Sequence, residues 1–357
     1  MAAAEFTIPR FEMATLGRPA SDDFSLTSVI SADFSVSGGY KYGLSFGFSF
    51  NHDTVSAPPD QTTLNFRMVR ATIRDLFNSP LELTYFMGEG DVFCSGDEFT
   101  TRFGYAPMGS DYKGLFYFPE GIGGDLGRTY NGIYGVNGTG ISLAFTRGNI
   151  FVPMIYLYQS TSPIRSLDGS IGGIPYSGDL RFLVNQEKYH IEAFAGASYK
   201  DVLMLRGGVL AHFYSGENID FLIQGGMSGW NMNDDLTIDA FYFLMEPRLR
   251  FGNFRIFTTL FIHPVVYNSI VTAEEQGKID INLKLFGQLQ DTDVSAGVET
   301  TVELKMDKME DLIIKVSPFI SLLGGGLQWD AKLRINVLGF DKPDEMFELF
   351  IGVSSSF

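Results

Sequence analysis

Polar and apolar residues alternate with a period of two over most of the chain. In residues 40–50 (YKYGLSFGFSF), Tyr40, Tyr42, Leu44, Phe46, Phe48 and Phe50 share one face, and Lys41, Gly43, Ser45, Gly47 and Ser49 share the other. Residues 278–285 set Ile279, Ile281, Leu283 and Leu285 against Lys278, Asp280, Asn282 and Lys284. Residues 329–337 set Trp329, Ala331, Leu333, Ile335 and Val337 against Asp330, Lys332, Arg334 and Asn336, and residues 294–304 carry Glu299 and Glu303 on their polar face. Successive side chains of a strand point to opposite faces, so each segment predicts a strand with one greasy and one polar side. A soluble sandwich also alternates. These segments, however, run about 9–13 residues, longer than the ordinary strand of about 5–6 and long enough to cross a bilayer at a tilt.

The segments recur almost from end to end: 5–16, 24–36, 40–50, 62–76, 80–88, 130–147, 150–158, 178–185, 188–199, 202–214, 218–228, 235–251, 253–263, 277–287, 292–304, 311–321, 327–338 and 345–357. The alternation breaks near Met68 and Val69 and near Pro247, which predicts bulges there. Long connections fall at 51–61, 88–129, 159–177 and 264–277. Tight turns fall at 37–39, 78–80, 147–149, 185–188, 215–218, 252–253, 287–291 and 324–326. With 5–16 counted as a first strand, long connections and tight turns alternate sides without a violation. The count is then about 18 strands. It falls to 16 if 5–16 is no strand and 137–140 (NGTG) is a turn.

No run reaches the roughly 18 apolar residues of a membrane helix. The longest, residues 150–158 (IFVPMIYLY), is interrupted by Pro153. A chain that crosses a membrane without helices must close its strands into a barrel, because only then does every backbone group find a partner in lipid. Composition fits this. Only 19% of residues are charged, while Phe 33, Tyr 16 and Gly 40 are all high. The expected fold is all-β: a transmembrane antiparallel up-and-down β-barrel with short periplasmic turns and longer outer loops, one domain over residues 1–357. The opening MAAAEF reads as a cloning remnant ahead of a mature chain whose signal peptide has been removed.

The last segment, 346–357 (MFELFIGVSSSF), aligns Phe347, Leu349, Ile351, Val353 and Phe357 on one face. Gly352 stands five residues before the terminal aromatic. This pattern resembles the closing strand of bacterial outer-membrane β-barrels, the porin-like proteins of Gram-negative cells, with Ser355 in place of their usual hydrophobic residue. The resemblance implies residence in the cell outer membrane. It also implies Gly352 and Phe357 as the signal read by the barrel assembly machinery, and a channel through which small solutes or ions are transported. It selects no subfamily.

In a barrel of 16–18 strands the interior is an aqueous channel lined by the polar faces. Lining candidates are Lys41, Arg70, Arg74, Glu82, Arg181, Glu192, Arg206, Asp220, Asp239, Arg248, Arg250, Arg255, Asp280, Lys284, Glu299, Glu303, Asp330, Lys332, Arg334 and Glu348. Either they solvate the lumen and pair across strands, or some form a selectivity ladder. In the second reading Arg70, Arg74, Arg248, Arg250 and Arg255 make a basic side facing Glu299 and Glu303, a transverse field resembling that of general porins. The longest loop, 88–129, holds Phe93, Phe99, Phe103, Tyr105, Tyr112, Phe116, Tyr117 and Phe118, more aromatic surface than a solvated loop needs. It either folds inward and narrows the lumen, as the constriction loop of porins does, or forms an outer lid. Its charged residues include Asp91, Asp97, Glu98, Arg102, Asp111, Lys113 and Glu120. The acidic surplus favours cations if the loop lines the narrowest point.

Other chemistry finds little support. The formal charge of −16 argues against nucleic acid as a partner. The single Cys94 excludes an internal disulfide framework. His52, His190, His212 and His263 are scattered without metal-ligand spacing, so no metal site and no cofactor is expected. No nucleophile elbow or phosphate loop appears, nothing orients His212 with Ser215, and an enzyme is not expected. Gly207-Gly208 and Gly225-Gly226 sit within strand patterns and relieve crowding or mark bends. The expected function is an outer-membrane channel for diffusion of small hydrophilic solutes or ions. Two alternatives share the fold: a transporter of hydrophobic compounds resembling fatty-acid transporters, and a barrel anchoring a surface or secretion complex through its loops, alone or as a homo-oligomer. An acidic soluble propeller is a further alternative, without a repeat to support it.

Overall fold

A computed structural model describes residues 5–19, 24–52, 62–95, 132–147, 150–161, 174–214, 218–263, 278–288, 294–305, 312–339 and 346–355. Among them run eighteen strands: β1 Glu5–Pro19, β2 Phe24–Gly38, β3 Tyr42–His52, β4 Thr62–Ile73, β5 Leu81–Phe93, β6 Tyr134–Phe145, β7 Phe151–Ser160, β8 Tyr176–Gln186 and β9 Tyr189–Tyr199, then β10 Leu203–Tyr214, β11 Ile219–Asn231, β12 Phe241–Phe251, β13 Phe254–His263, β14 Lys278–Gln288, β15 Val294–Lys305, β16 Ile313–Gly324, β17 Leu327–Asn336 and β18 Phe347–Ser355. No helix among the described residues is long and apolar enough to cross a membrane, which says nothing against crossing by strands.

Each strand pairs antiparallel with the next along the chain. In addition β1 pairs with β18, Phe11 opposite Ser355 through Gly17 opposite Leu349. Every expected tight turn follows an even-numbered strand and every expected long connection an odd-numbered one. All long connections therefore lie at one end of the sheet.

Exposure along the strands inverts the order of a soluble protein. In β7 the burial pattern alternates strictly: Val152, Met154, Tyr156 and Tyr158 are buried, while Phe151, Ile155 and Leu157 are exposed. On the outward face Ile281 is 42%, Trp329 49% and Ile351 51% exposed. Phe46 and Leu333 are half-exposed. The inward face holds Arg181, Glu192, Arg248, Glu246, Glu299 and Lys332, all buried. Phe93 of β5 packs on Phe194 of β9, with ring centroids 5.0 Å apart although three strands lie between theirs. Only a strongly curved sheet lets them meet, and the curvature puts the charged face on the inside.

Several segment edges differ from expectation for identifiable reasons. The break near Met68 is a bulge at Arg67, since Gly47 pairs with Met68 and Phe48 with Phe66. The bulge expected at Pro247 does not occur: β12 pairs with β13 at Met245 and again at Arg248 in one register. Proline lacks the ladder donor, so it removes a hydrogen bond there without adding a residue. Residues 137–140 belong to the continuous strand β6 rather than to a turn. The segment expected at 235–251 begins as strand only at Phe241, and Asp239 lies in a single 3-10 turn, Ile238–Ala240, rather than on a lumen-facing strand. β5 continues past Gly88 to Phe93, with a register shift between Glu89 and Val92.

Candidate functional site

The shift at the end of β5 turns residues 91–95 away from the wall and into the space inside it. A chain that leaves its ladder in a crowded interior strands its peptide groups, each at a cost of about 1–3 kcal/mol. Val92 and Phe93 stay opposite Gly135 and Tyr134 of β6, while on the side where the β4 pairing ends at Gly88, wall side chains replace the ladder. The Cys94 N–H donates to Glu192 Oε1 at 2.7 Å. The Cys94 carbonyl accepts from Gln224 Nε2, and Tyr242 Oη donates to Gln224 Oε1 at 3.0 Å. Arg181 gives Nη2 to the Val92 carbonyl at 3.2 Å and Nε to Glu192 at 2.7 Å. Asp91 receives Tyr156 Oη at 2.5 Å and Arg70 Nη1 at 3.0 Å. The Ile133 N–H, on the returning side of the loop, donates to the Phe93 carbonyl at 2.9 Å. Phe93, Tyr134, Tyr156 and Phe194 close over this bundle, with the Arg181 guanidinium 5.2 Å from the Phe93 ring centre.

Glycine makes the room. Gly208 of β10 faces the in-turned segment, and a side chain there would meet Ile133 Cδ1 at 2.7 Å and Phe194 Cε1 at 2.9 Å. The paired glycines of β10 and β11 thus relieve crowding, as their sequence context suggested; Gly208 stands opposite Gly226. Toward the long-loop end Gly196 stands between Asp179 and Arg206 in the register. Without a side chain at Gly196, Arg206 reaches two strands over to take both oxygens of Asp179, at 2.6 and 2.8 Å. The Arg206 guanidinium lies 4.2 Å from the Tyr134 ring centre, and its Nη2 donates to Tyr158 Oη at 3.2 Å.

The remaining charges pair locally. Arg248 binds Glu246 on its own strand, and Thr259 donates to the other Glu246 oxygen at 2.7 Å. Arg250 binds Asp220. Lys332 binds Glu299 at 2.9 Å, Lys315 binds Glu303 at 2.5 Å, and Arg334 binds Glu348 at 2.9 Å. Arg74 binds Glu82 at 3.2 Å, and Arg67 binds both Asp33 and Glu89 at 2.5 Å. Asp330 is buried and Arg255 half-buried on the same face. The register sets Lys284 opposite Glu299 and Asp280 opposite Glu303.

The expected basic side facing an acidic side is therefore corrected. Arg70 and Arg74 sit on β4 while Arg248, Arg250 and Arg255 sit on β12 and β13, and Glu299 and Glu303 have lysine partners of their own. Adjacent-strand partners lie within about 5 Å, so charges neutralise locally before they can build a field across the sheet. The expectation of an unpacked interior is corrected too. From β5 to β13 the inward face is filled by a continuous buried cluster that includes Phe86, Leu183, Leu210, Leu222, Leu244, Phe257 and Phe261.

Water reaches a different part of the inward face. The side chains of Arg67, Arg70 and Arg74 on β4 are 33%, 27% and 42% exposed. Those of Arg181, Arg206 and Arg248 are 1–2% exposed. The open strip runs along β4, between β3 and β5. Sequence reading missed Arg67, which the bulge turns inward, together with Asp33, Asp179, Gln224 and Glu246. Asp179 and Glu246 stand two residues from Arg181 and Arg248, on the same face, and that spacing was the available signal. Asp97, Glu98, Arg102, Asp111, Lys113, Glu120 and Phe357 lie outside the described residues. Gly352 lies in β18, where a side chain would meet the Phe350 ring at 2.8 Å.

No protein-family model matches the chain, and no curated protein matches it. Solved structures do resemble it. OccAB2 of Acinetobacter baumannii superposes with a TM-score of 0.58 at 10% identity, covering 99% of this chain and 98% of that one. OccK2 (OpdF) of Pseudomonas aeruginosa, solved in complex with glucuronate, gives 0.58 at 9% identity with the same coverage. The outer membrane protein OpdK of Pseudomonas aeruginosa gives 0.56 at 8% identity, again over 99% and 98%. At such identities the likeness is one of fold: a porin-like antiparallel β architecture over nearly the whole chain.

Proposed function

We propose that this chain forms a closed eighteen-stranded barrel in a bacterial outer membrane and works as a channel for small hydrophilic solutes. The inverted exposure of the strands carries this reading: apolar side chains face out along the sheet, and ionised pairs face in. Pairing of β1 with β18 supports closure, and the porin-like fold supports the membrane setting. Small solutes pass along the β4 strip, where Arg67, Arg70 and Arg74 meet water, because the β5–β13 side is packed. Each of these arginines has a carboxylate beside it, so the strip itself favours neither sign strongly. The acidic residues Asp97, Glu98, Asp111 and Glu120 of the long loop add a modest cation preference. No catalytic role is proposed.

Planar-bilayer recording tests this. Purified protein should raise conductance in discrete steps, with a reversal potential modestly toward potassium in a KCl gradient. Glucuronate, the ligand solved with OccK2, is the first charged sugar to add, since its carboxylate can exchange with those beside the arginines. It should interrupt the current, and Arg70→Gln should shorten the interruptions several-fold. A protein that inserts and never conducts would point instead to an anchoring barrel with a filled lumen.

A further inference from the structure

Three arginines line the open strip on β4, and they are not held alike. Arg67 has every nitrogen engaged: Nε and Nη2 donate to Glu89 Oε2 at 2.7 and 2.5 Å, and Nη1 meets Asp33 at 2.5 Å. Arg74 gives Nε to Glu82 at 3.2 Å and Nη1 to the Tyr40 carbonyl at 2.7 Å, which ties it to the β2–β3 turn. Arg70 gives Nη1 to one oxygen of Asp91 at 3.0 Å. Its Nη2 reaches the Glu89 carbonyl only at 3.5 Å, and its Nε is buried with no hydrogen-bond partner among the described residues. A guanidinium carries its donors in a planar fork that fits a carboxylate with two parallel bonds. Asp91 fills one prong of that fork.

Asp91 does not come to Arg70 along the ladder. In the β4–β5 pairing Arg70 stands opposite Phe86, five residues before Asp91. Five residues of strand span about 16 Å, so Asp91 reaches Arg70 because the end of β5 turns inward. Its side chain is 7% exposed, whereas that of Arg70 is 27% exposed. The other Asp91 oxygen accepts from Tyr156 Oη at 2.5 Å and lies 3.8 Å from Arg181 Nη1. Giving up Arg70 therefore leaves this buried carboxylate hydrogen-bonded and beside a second cation. The usual penalty for stripping a buried charge of its partner does not arise. Exchange at Arg67, by contrast, has to displace two carboxylates at once.

We propose that Asp91 is a tethered competitor for Arg70, and that it sets how long a carboxylate-bearing solute stays on the strip. This rests on the permeation reading and adds the residue that tunes it. The solute carboxylate takes Arg70 while Asp91 falls back on Tyr156 and Arg181. Asp91 then retakes Arg70 and the solute leaves. Conduction needs a site favourable enough to enter and weak enough to leave, and an internal rival supplies the second half.

Glucuronate is the probe. Asp91→Asn keeps an oxygen for Tyr156 Oη and removes the competing charge, so it should lengthen the glucuronate interruptions several-fold. Glu82→Gln takes the same charge from the strip without touching Asp91, and should leave them nearly unchanged. Equal lengthening in both variants would reduce the effect to overall charge and overturn the proposal, as would no lengthening in Asp91→Asn. Heat-dependent gel migration reports whether each variant is folded. If Asp91→Asn does not fold, Tyr156→Phe decides: it removes the donor that holds Asp91 back, so interruptions should shorten, and unchanged ones overturn the proposal. Calorimetric binding of glucuronate to the detergent-folded proteins should give the same order without conduction. Proteins that bind in this order and never conduct would fail the permeation reading alone. Proteins that conduct without the order would fail the present proposal alone.

Discussion

Glu192 does two jobs with one carboxylate. A single oxygen accepts from Arg181 Nε and from the Cys94 N–H, both at 2.7 Å. Removing it deprives a buried guanidinium and a buried peptide group of their partner together. Breaking a buried pair from one side costs about 3–5 kcal/mol. Glu192→Ala should therefore lower the temperature at which the folded gel band is lost, and Arg181→Met with Glu192→Leu should recover only the part due to the stranded guanidinium, since the Cys94 N–H and the Val92 carbonyl then lack these partners. Gel migration after heating checks both. The charge of Glu192 and its inward direction were legible, because its segment alternates cleanly. Its partners were not, since Cys94 is 98 residues away and meets it only through the turn at the end of β5.

At the scale of the strand, period-two patterning was enough to show an antiparallel all-β chain, and each expected segment overlaps a strand among the described residues. Their edges were less legible. A bulge adds one residue and flips the face of everything beyond it, so the inward place of Arg67 was not legible. β5 was cut short at Gly88 because beyond it the strand loses β4 and shifts its register against β6, and no local pattern encodes that change. The outward faces were fully legible and make a sharp prediction. Ile281, 42% exposed in the middle of β14, faces acyl chains in the proposed setting. Ile281→Arg should cost about 2–4 kcal/mol in lipid vesicles, measured by denaturant unfolding. An unchanged midpoint would mean that this face meets water.

For the molecule as a whole, the strict alternation of long connections with tight turns carried the up-and-down order before any coordinates. What sits in the middle was illegible. Phe93, Phe194, Gly208 and Ile133 come from β5, β9, β10 and the end of the loop, and the sequence shows each only as a member of its own segment. Closure is testable directly. Met13 stands opposite Val353 across the β1–β18 pairing. Met13→Cys with Val353→Cys, in a Cys94→Ser background, should form a disulfide that holds the two ends together after a protease cuts between them. Separate fragments on a non-reducing gel would show that the first and last strands do not meet.

That pairing also constrains how the polypeptide acquires its shape. Residues 11–17 have to find 349–355, the most distant partners along the chain, whereas every other pairing joins neighbours through a single connection. Local hairpins can form early and independently, while the final zipping waits for both termini. Loop-closure entropy makes that late encounter the slow one. Until it happens two bare edges are exposed to other chains, so the period of greatest risk of clumping falls just before maturation.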